Sequence, residues 1–370
     1  MNRGRVAAGT VVRRYGPVLA LALGAALPYS TVDIPGVFDG PLNSPGTLQL
    51  LALCLLYGGL AGGYDLLFGQ AGLLSFGHAL YVAAGVYGVD ILVVHSGLPL
   101  VPAVVLAVAG GALLAALLGS VALRTTGIAF AMVTLAFAQV GSILVNRDPG
   151  GLTGGEEGLS LDPAALPGFL VGVTNTVNLY WLALAYLAVV AFVVHRVARA
   201  PLGRVLAAVR DDERRVSVLG LDPYRFKLLA FTLSGGLAAA GGVVYVLLVG
   251  GASPAVTTSG FTLSLLVMVV LGGPGTRWGP VLGAIAYTYL DQRLAALGGT
   301  AAVAHLPGWL RAPLSQPLFV LGVVFMLAVY FAPGGVAGLF GRLGLTPWLA
   351  AGAATGARSR TPGPRRPGRS

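Results

Sequence analysis

Polar side chains set into apolar sequence are where this chain could do chemistry. Asp65, Gln70, Ser75, His78, Asp90, Gln139 and Asp291 stand in or beside long apolar stretches. An ionisable group inside a membrane span is costly, and by default it marks a route for a solute or a proton. Gly69, Gly72 and Gly77 lie among these groups and interrupt any continuous helix. A discontinuous helix near the midplane presents a half-helix terminus to a substrate carboxylate. Gly69–His78, including Gln70, Gly72, Ser75 and Gly77, is therefore the candidate pathway segment, with Thr134 and Gln139 facing it. Two plainer readings stay open. His78 could be hydrogen-bonded in packing, and Asp65 could sit at a helix end in the headgroup region, which is the preferred reading for Asp65. Asp90 and Asp291, close to the ends of their stretches, read as interfacial.

A second group is charged rather than buried. Between His195 and Lys227 lie eight of the 23 basic residues and four of the 13 acidic ones. The flanks, Asn178–Val194 and Leu228–Gly251, carry no charge. Pro201 suits a first helical turn and Gly220 the position past a helix end. Leu202, Val205, Leu206, Val209, Val216 and Leu219 draw one apolar stripe, with Arg204, Arg210, Asp211, Arg214 and Arg215 mostly off it. Asp222-Pro223 reads as the cap and first turn of the next helix. A charged helix between two spans is a surface for a soluble partner. Its interleaved acids argue against a helix lying on anionic lipid.

What must hold these groups is a membrane domain. Of 370 residues, 56% are hydrophobic and 10% charged, and the mean hydropathy is +0.84. No Lys or Arg occurs from Tyr15 to Leu123. Ten apolar stretches are candidate spans of an all-α polytopic fold: Val18–Tyr29, Thr47–Phe68, Leu73–Val94, Leu98–Leu123, Gly127–Val145, Asn178–Val194, Phe226–Val249, Phe261–Leu271, Pro280–Leu290 and Pro317–Phe331. Threading them from a cytoplasmic N-terminus puts 20 of the 23 basic residues inside, leaving Arg147, Arg293 and Arg311 outside, as the positive-inside rule favours. The resulting plan is a cytoplasmic N-terminus over 1–14 and a membrane domain over 15–340. It has an outer loop at 146–177, a cytoplasmic loop at 196–227, and a disordered basic cytoplasmic tail at 341–370. Arg13-Arg14 with Ala25-Ala26 also fits a cleaved signal peptide, but an uncleaved first span suits the topology better. Phe261–Leu271 and Pro280–Leu290 are short. They are two spans extending beyond Gly272–Pro280 or a re-entrant pair, and full spans are preferred. The outer segment Ala301–Gln316 is expected at the membrane interface.

Several functions are excluded. The only lysine, Lys227, follows no glycine loop, so the chain holds no P-loop of the Gly-x-x-x-x-Gly-Lys type. Cys54 is alone, and no Cys/His cluster has metal-ligand spacing. The reading therefore assigns no metal, no cofactor, no catalytic residue and no nucleic acid. Ser234–Gly242, rich in small residues, suits a tight helix–helix contact, with packing the preferred reading and a helix of another subunit one option for its partner.

Five stretches, in order, resemble the LivM-type permease of branched-chain amino acid ABC importers over roughly residues 50–335. They are Gly69-Gln-Ala-Gly-Leu-Leu-Ser-Phe-Gly-His-Ala79; Gly127-Ile-Ala-Phe-Ala-Met-Val-Thr-Leu-Ala-Phe-Ala-Gln139; Leu152-Thr-Gly-Gly-Glu-Glu-Gly-Leu159; Arg210–Phe231, with Glu213 seven residues before Gly220; and Met268–Ala284. Three departures stand out: Asp65 where the family usually has Asn, Arg215 where it carries small residues, and the pair Glu156-Glu157. The resemblance implies Arg210, Asp211, Glu213, Arg214 and Gly220 as ATPase-coupling residues. It also implies two ATP-binding cassette subunits, a second homologous permease and an extracytoplasmic substrate-binding protein in a bacterial inner membrane. Urea or another small polar solute is the alternative cargo. A different class altogether would be a proton-coupled secondary transporter using Asp65, His78 and Asp90.

Overall fold

The computed structural model describes residues 21–33, 38, 40–161, 166–170, 175–298, 316–331 and 334–342. Arg3, Arg5, Arg13, Arg14, Asp162, Arg311, nearly all of the expected interfacial segment and the tail from 343 lie outside them.

Twelve helices are described here in chain order. α1 spans Pro45–Asp65 and runs on as a π-helical turn, Leu66–Gln70. It is followed by α2 (His78–Val94), α3 (Leu100–Ala122), α4 (Ile128–Arg147), α5 (Thr176–Arg199), α6 (Pro201–Asp211), α7 (Glu213–Val218), α8 (Pro223–Val249), α9 (Ser259–Gly272), α10 (Gly279–Gly298), α11 (Pro317–Phe331) and α12 (Gly335–Arg342). A two-residue antiparallel ribbon, β1 (Leu159–Ser160) with β2 (Gly251–Ala252), adds to the all-helical plan.

The helix starts follow the local chemistry. Ser44 accepts from the Thr47 amide at 3.4 Å with Pro45 in the first turn. Asp222 accepts from the Tyr224 amide at 3.1 Å with Pro223 beside it. Both place a side-chain oxygen on a backbone donor that the helix leaves open.

Among the described residues, five helices are long and apolar enough to cross a membrane: α1 with its π turn (26 residues), α3 (23), α4 (20), α5 (24) and α8 (27). At 1.5 Å per residue, 20 residues reach about 30 Å, the thickness of the hydrocarbon core. α2 with 17 residues and α9 with 14 fall short. The stretch expected to extend into a full span at Phe261–Leu271 thus gains only a few residues, whereas α10 runs well past Leu290. α2 also begins five residues later than the apolar stretch does, because 71–77 is not helical.

α8 is the central helix, packed on α2, α3 and α1. Its small residues make this possible. A Cβ on Gly242 would meet the Val86 amide at 3.0 Å, and one on Gly236 would meet Ala112 Cβ at 3.3 Å. The Ser234–Gly242 cluster is therefore packed against α2 and α3 within the chain, as the tight helix contact expected of it. α3 and α4 keep broad apolar outer faces, with Val101, Leu113, Ile128 and Val140 exposed.

Candidate functional site

The break between α1 and α2 is tied to three other helices. Tyr64 of α1 donates its hydroxyl to the Ser75 carbonyl at 2.8 Å. Thr134 of α4 accepts from the Phe76 amide at 3.1 Å, and Thr262 of α9 accepts from the Ala79 amide at 2.9 Å. Ser75 accepts from the Gly77 amide at 3.3 Å. An irregular segment at membrane depth needs such partners for its backbone. His78 opens α2 fully buried, with Tyr64 edge-on to its ring at 4.9 Å. Ser234 of α8 donates its one proton to the Gly63 carbonyl at 2.6 Å. The 3.3 Å contact between Ser234 Oγ and His78 Nε2 therefore needs the proton on Nε2. His78 Nδ1 has no hydrogen-bond partner.

The charged block joins the same break. Arg210 Nη1 donates to the Gly69 carbonyl, and the Arg210 stem lies against Gly72, whose φ is 71°. Asp65, at 3% exposure, accepts from the Gly275 amide at 2.8 Å. It is thus buried in a joint at the end of α1, where the α-helix passes into the π turn. Lys227, at 7% exposure, pairs with Glu213 at 2.6 Å. The single helix expected from Pro201 to Gly220 is broken at Asp212, whose backbone is extended at φ −162°, ψ 102°. Asp212 then caps α7 by accepting from the Arg215 amide at 3.1 Å. Leu206, Val209 and Val216 of the stripe are buried, but Leu219 is exposed, as is Val218 at 87%. Asp211 and Arg214 face outward, and Gly220 turns the chain at φ 80°.

The sequence profile described as "Branched-chain amino acid transport system / permease component" matches residues 46–329, well over half of the chain. The chain belongs to this permease family. The high-affinity branched-chain amino acid transport system permease protein LivM of Escherichia coli is 32% identical over 264 residues, 65% of this chain and 62% of LivM. The matched region therefore spans less than two thirds of that relative. A probable branched-chain amino acid transport permease protein LivM of Methanocaldococcus jannaschii is 26% identical over 330 residues, 88% of this chain and 85% of its own. The autoinducer 2 import system permease protein LsrC of Klebsiella pneumoniae is 36% identical over 167 residues, 42% of this chain and 44% of LsrC. Among solved structures, PsaBC from Streptococcus pneumoniae in complex with Fab covers 80% of this chain and 94% of its own, at 13% identity and a TM-score of 0.40.

In this permease, Gly69, Gly72, Ser75, Gly77, His78 and Thr134 converge on the break. Gln70 is half-buried at the close of the π turn, while Gln139 is exposed. Five residues after Thr134, Gln139 is rotated by about 140° around α4, so it does not face the segment. Asp90, expected at the interface, is fully buried, because β2 and the Pro254–Thr257 turn cover that end of α2. Neither its carboxylate oxygens nor the nearby Tyr87 hydroxyl makes a hydrogen bond, though the Ala252 backbone lies on its side. Along α2, His78 and Asp90 are about 18 Å apart, too far for direct proton transfer. Thr262 and Tyr64 stand out in no motif, and Ser234 only as one end of a small-residue cluster, since a hydroxyl in an apolar run carries no signal of its distant partner. Lys227 stands out as the only lysine, but nothing in the sequence names Glu213 as its partner. Among the described residues, no three His, Cys, Asp or Glu side chains converge as a metal site.

Proposed function

We propose that this chain is the membrane-spanning subunit of an ATP-driven importer that moves branched-chain amino acids inward by alternating access. Two ATP-binding cassette subunits grip α6–α7 through Asp211, Glu213, Arg214 and the Gly220 turn. A second homologous permease completes the pathway, and an extracytoplasmic binding protein delivers the solute at the β1–β2 end. Ten spans with both termini in the cytoplasm of a bacterial inner membrane complete the topology. ATP hydrolysis belongs to the partners.

The observation that carries this reading is the double character of the α6–α7 loop. Its outer face offers charges to a soluble partner, while Arg210 and Lys227 attach it to the helix break and to α8. A partner that binds two permease states with different free energy can drive such an element between them. The solute would pass along Gly69–His78 and Thr134. Another small polar solute is the second reading, favoured by the partial match to an autoinducer 2 permease.

The test is purification of the tagged chain from native membrane in mild detergent, then reconstitution and leucine uptake. Recovery of an ATPase pair with ATP-dependent leucine uptake supports the proposal. A lone chain whose uptake collapses with the proton gradient overturns it.

A further inference from the structure

The joint at the end of α1 gives Asp65 a task that the importer reading leaves unassigned. α1 does not stop at Asp65, since the backbone continues through the π turn to Gln70. The Asp65 carboxylate receives the Gly275 amide from the turn between α9 and α10. Gly275 has φ 73°, and a Cβ there would lie 3.2 Å from the Gly69 carbonyl oxygen and 3.3 Å from Arg210 Nη1. Gly69 in turn accepts from Arg210, whose Nη1 lies against the same Gly275 that donates to Asp65. Three pieces of chain far apart in sequence thus meet where glycines leave room for backbone alone.

An uncharged amide could accept the Gly275 hydrogen bond as well as a carboxylate does. It would cost less to bury, because an ionised group loses far more hydration than a neutral one. What the carboxylate adds is charge, and the charge that answers it is the guanidinium of α6. We propose that Asp65 is a positioning residue that clamps α6 to both sides of the helix break, so that a displacement of α6 moves Leu66–Gly77 and the start of α10 together. The proposal rests on the importer reading, and its test separates the two.

The complex purified with its ATPase subunits is reconstituted, and leucine taken up is measured per ATP hydrolysed. Asp65→Asn keeps the acceptor and removes the charge, and should lower that ratio about fivefold. Asp65→Leu removes both, and should lower it tenfold or more, within the usual range of coupling effects. The double variant Asp65→Asn/Arg210→Ala should be no worse than Arg210→Ala alone, since partners in one interaction are not additive. An unchanged ratio in Asp65→Asn, or losses that multiply in the double variant, overturns the proposal. So does a parallel fall of uptake and hydrolysis, the mark of a merely structural role.

If Asp65→Leu does not assemble, Asp65→Asn still decides. A second readout uses the full chain without partners: hydrogen exchange over 272–279 should rise in Arg210→Ala, although no hydrogen bond joins Arg210 to that turn. A response confined to 66–77 overturns the clamp. A wild-type chain that recovers no ATPase or takes up no leucine fails the importer reading instead, and the exchange result then judges the joint on its own.

Discussion

The two ends of α8 are organised by different rules. At the α6–α7 end, hydrogen bonds join residues distant in sequence: Arg210 to Gly69, Gly275 to Asp65, and the Tyr224 hydroxyl to the Ser120 carbonyl. At the β1–β2 end the hydrogen bonds around Asp148 are local, made to Thr153 five residues on. The polar groups of Tyr87 and Asp90 meanwhile lie buried without a partner. A cross-linked end moves as a unit and passes a displacement on. The β1–β2 end is tied across the sequence too, by the ribbon itself and by Thr257 to Ser142 at 3.0 Å, yet its Asp148 turn is built from near neighbours and can rearrange on its own.

The sharpest way to break this comparison is at the helix break. Thr134→Val leaves the Phe76 amide without its acceptor, and Thr262→Val does the same to the Ala79 amide. Each should cost about 1–3 kcal/mol, the penalty for orphaning a buried donor. The double variant should approach the sum, because the two threonines act from different helices. Thermal unfolding of the purified chain in one detergent measures this, and unchanged midpoints would mean that the break is not held by these bonds.

Charge gives a smaller effect at the same end. Glu213→Gln deprives the nearly buried Lys227 of its carboxylate, but the Glu213 side chain is 44% exposed. Solvent screens such a pair, so the loss should be about 1 kcal/mol. Lys227→Met added to Glu213→Gln should recover part of it, read from the same unfolding curves. At the opposite end, Tyr87→Phe removes an oxygen without a partner and Asp90→Asn a charge with only the Ala252 backbone beside it. Both should change stability by less than about 0.5 kcal/mol or raise it, since no made bond is lost. A loss as large as that of the threonine variants would erase the contrast between the two ends.

Much of this architecture was legible in the sequence for a plain reason. Apolar length declares a span, and Gly69, Gly72 and Gly77 declare a break. The charged block and its caps at Pro201 and Asp222 were equally readable. The division at Asp212 was not, because one capping carboxylate looks like any other acid in a charged run. Separations of 141 and 210 residues hide the partners of Arg210 and Asp65, since spacing reports only neighbours on one element. Asp90 was read as interfacial for the same cause: nothing in α2 itself says that β2 will fold over its end. The small residues from Ser234 to Gly242 announced close packing correctly but could not say against which helix.

The smallest effect expected lies in the loop that follows α4 and depends on pH. Asp148, in the left-handed region at φ 46°, accepts the Thr153 amide at 2.6 Å and the Thr153 hydroxyl at 2.9 Å. The Thr153 amide foremost holds its carboxyl below the usual carboxylate range. A group depressed in the folded state stabilises above its unfolded pKa, about 3.9 for Asp, and loses that contribution as pH falls through its folded pKa. Asp148→Asn keeps a side chain that tolerates the same backbone conformation and removes the charge. The difference in unfolding midpoint between wild type and Asp148→Asn should therefore be constant from about pH 8 to 5 and shrink below about pH 4. A difference that instead grows on acidification would mean that the loop is held by the neutral acid. The loop after α4 would then owe its order to something other than this local carboxylate turn.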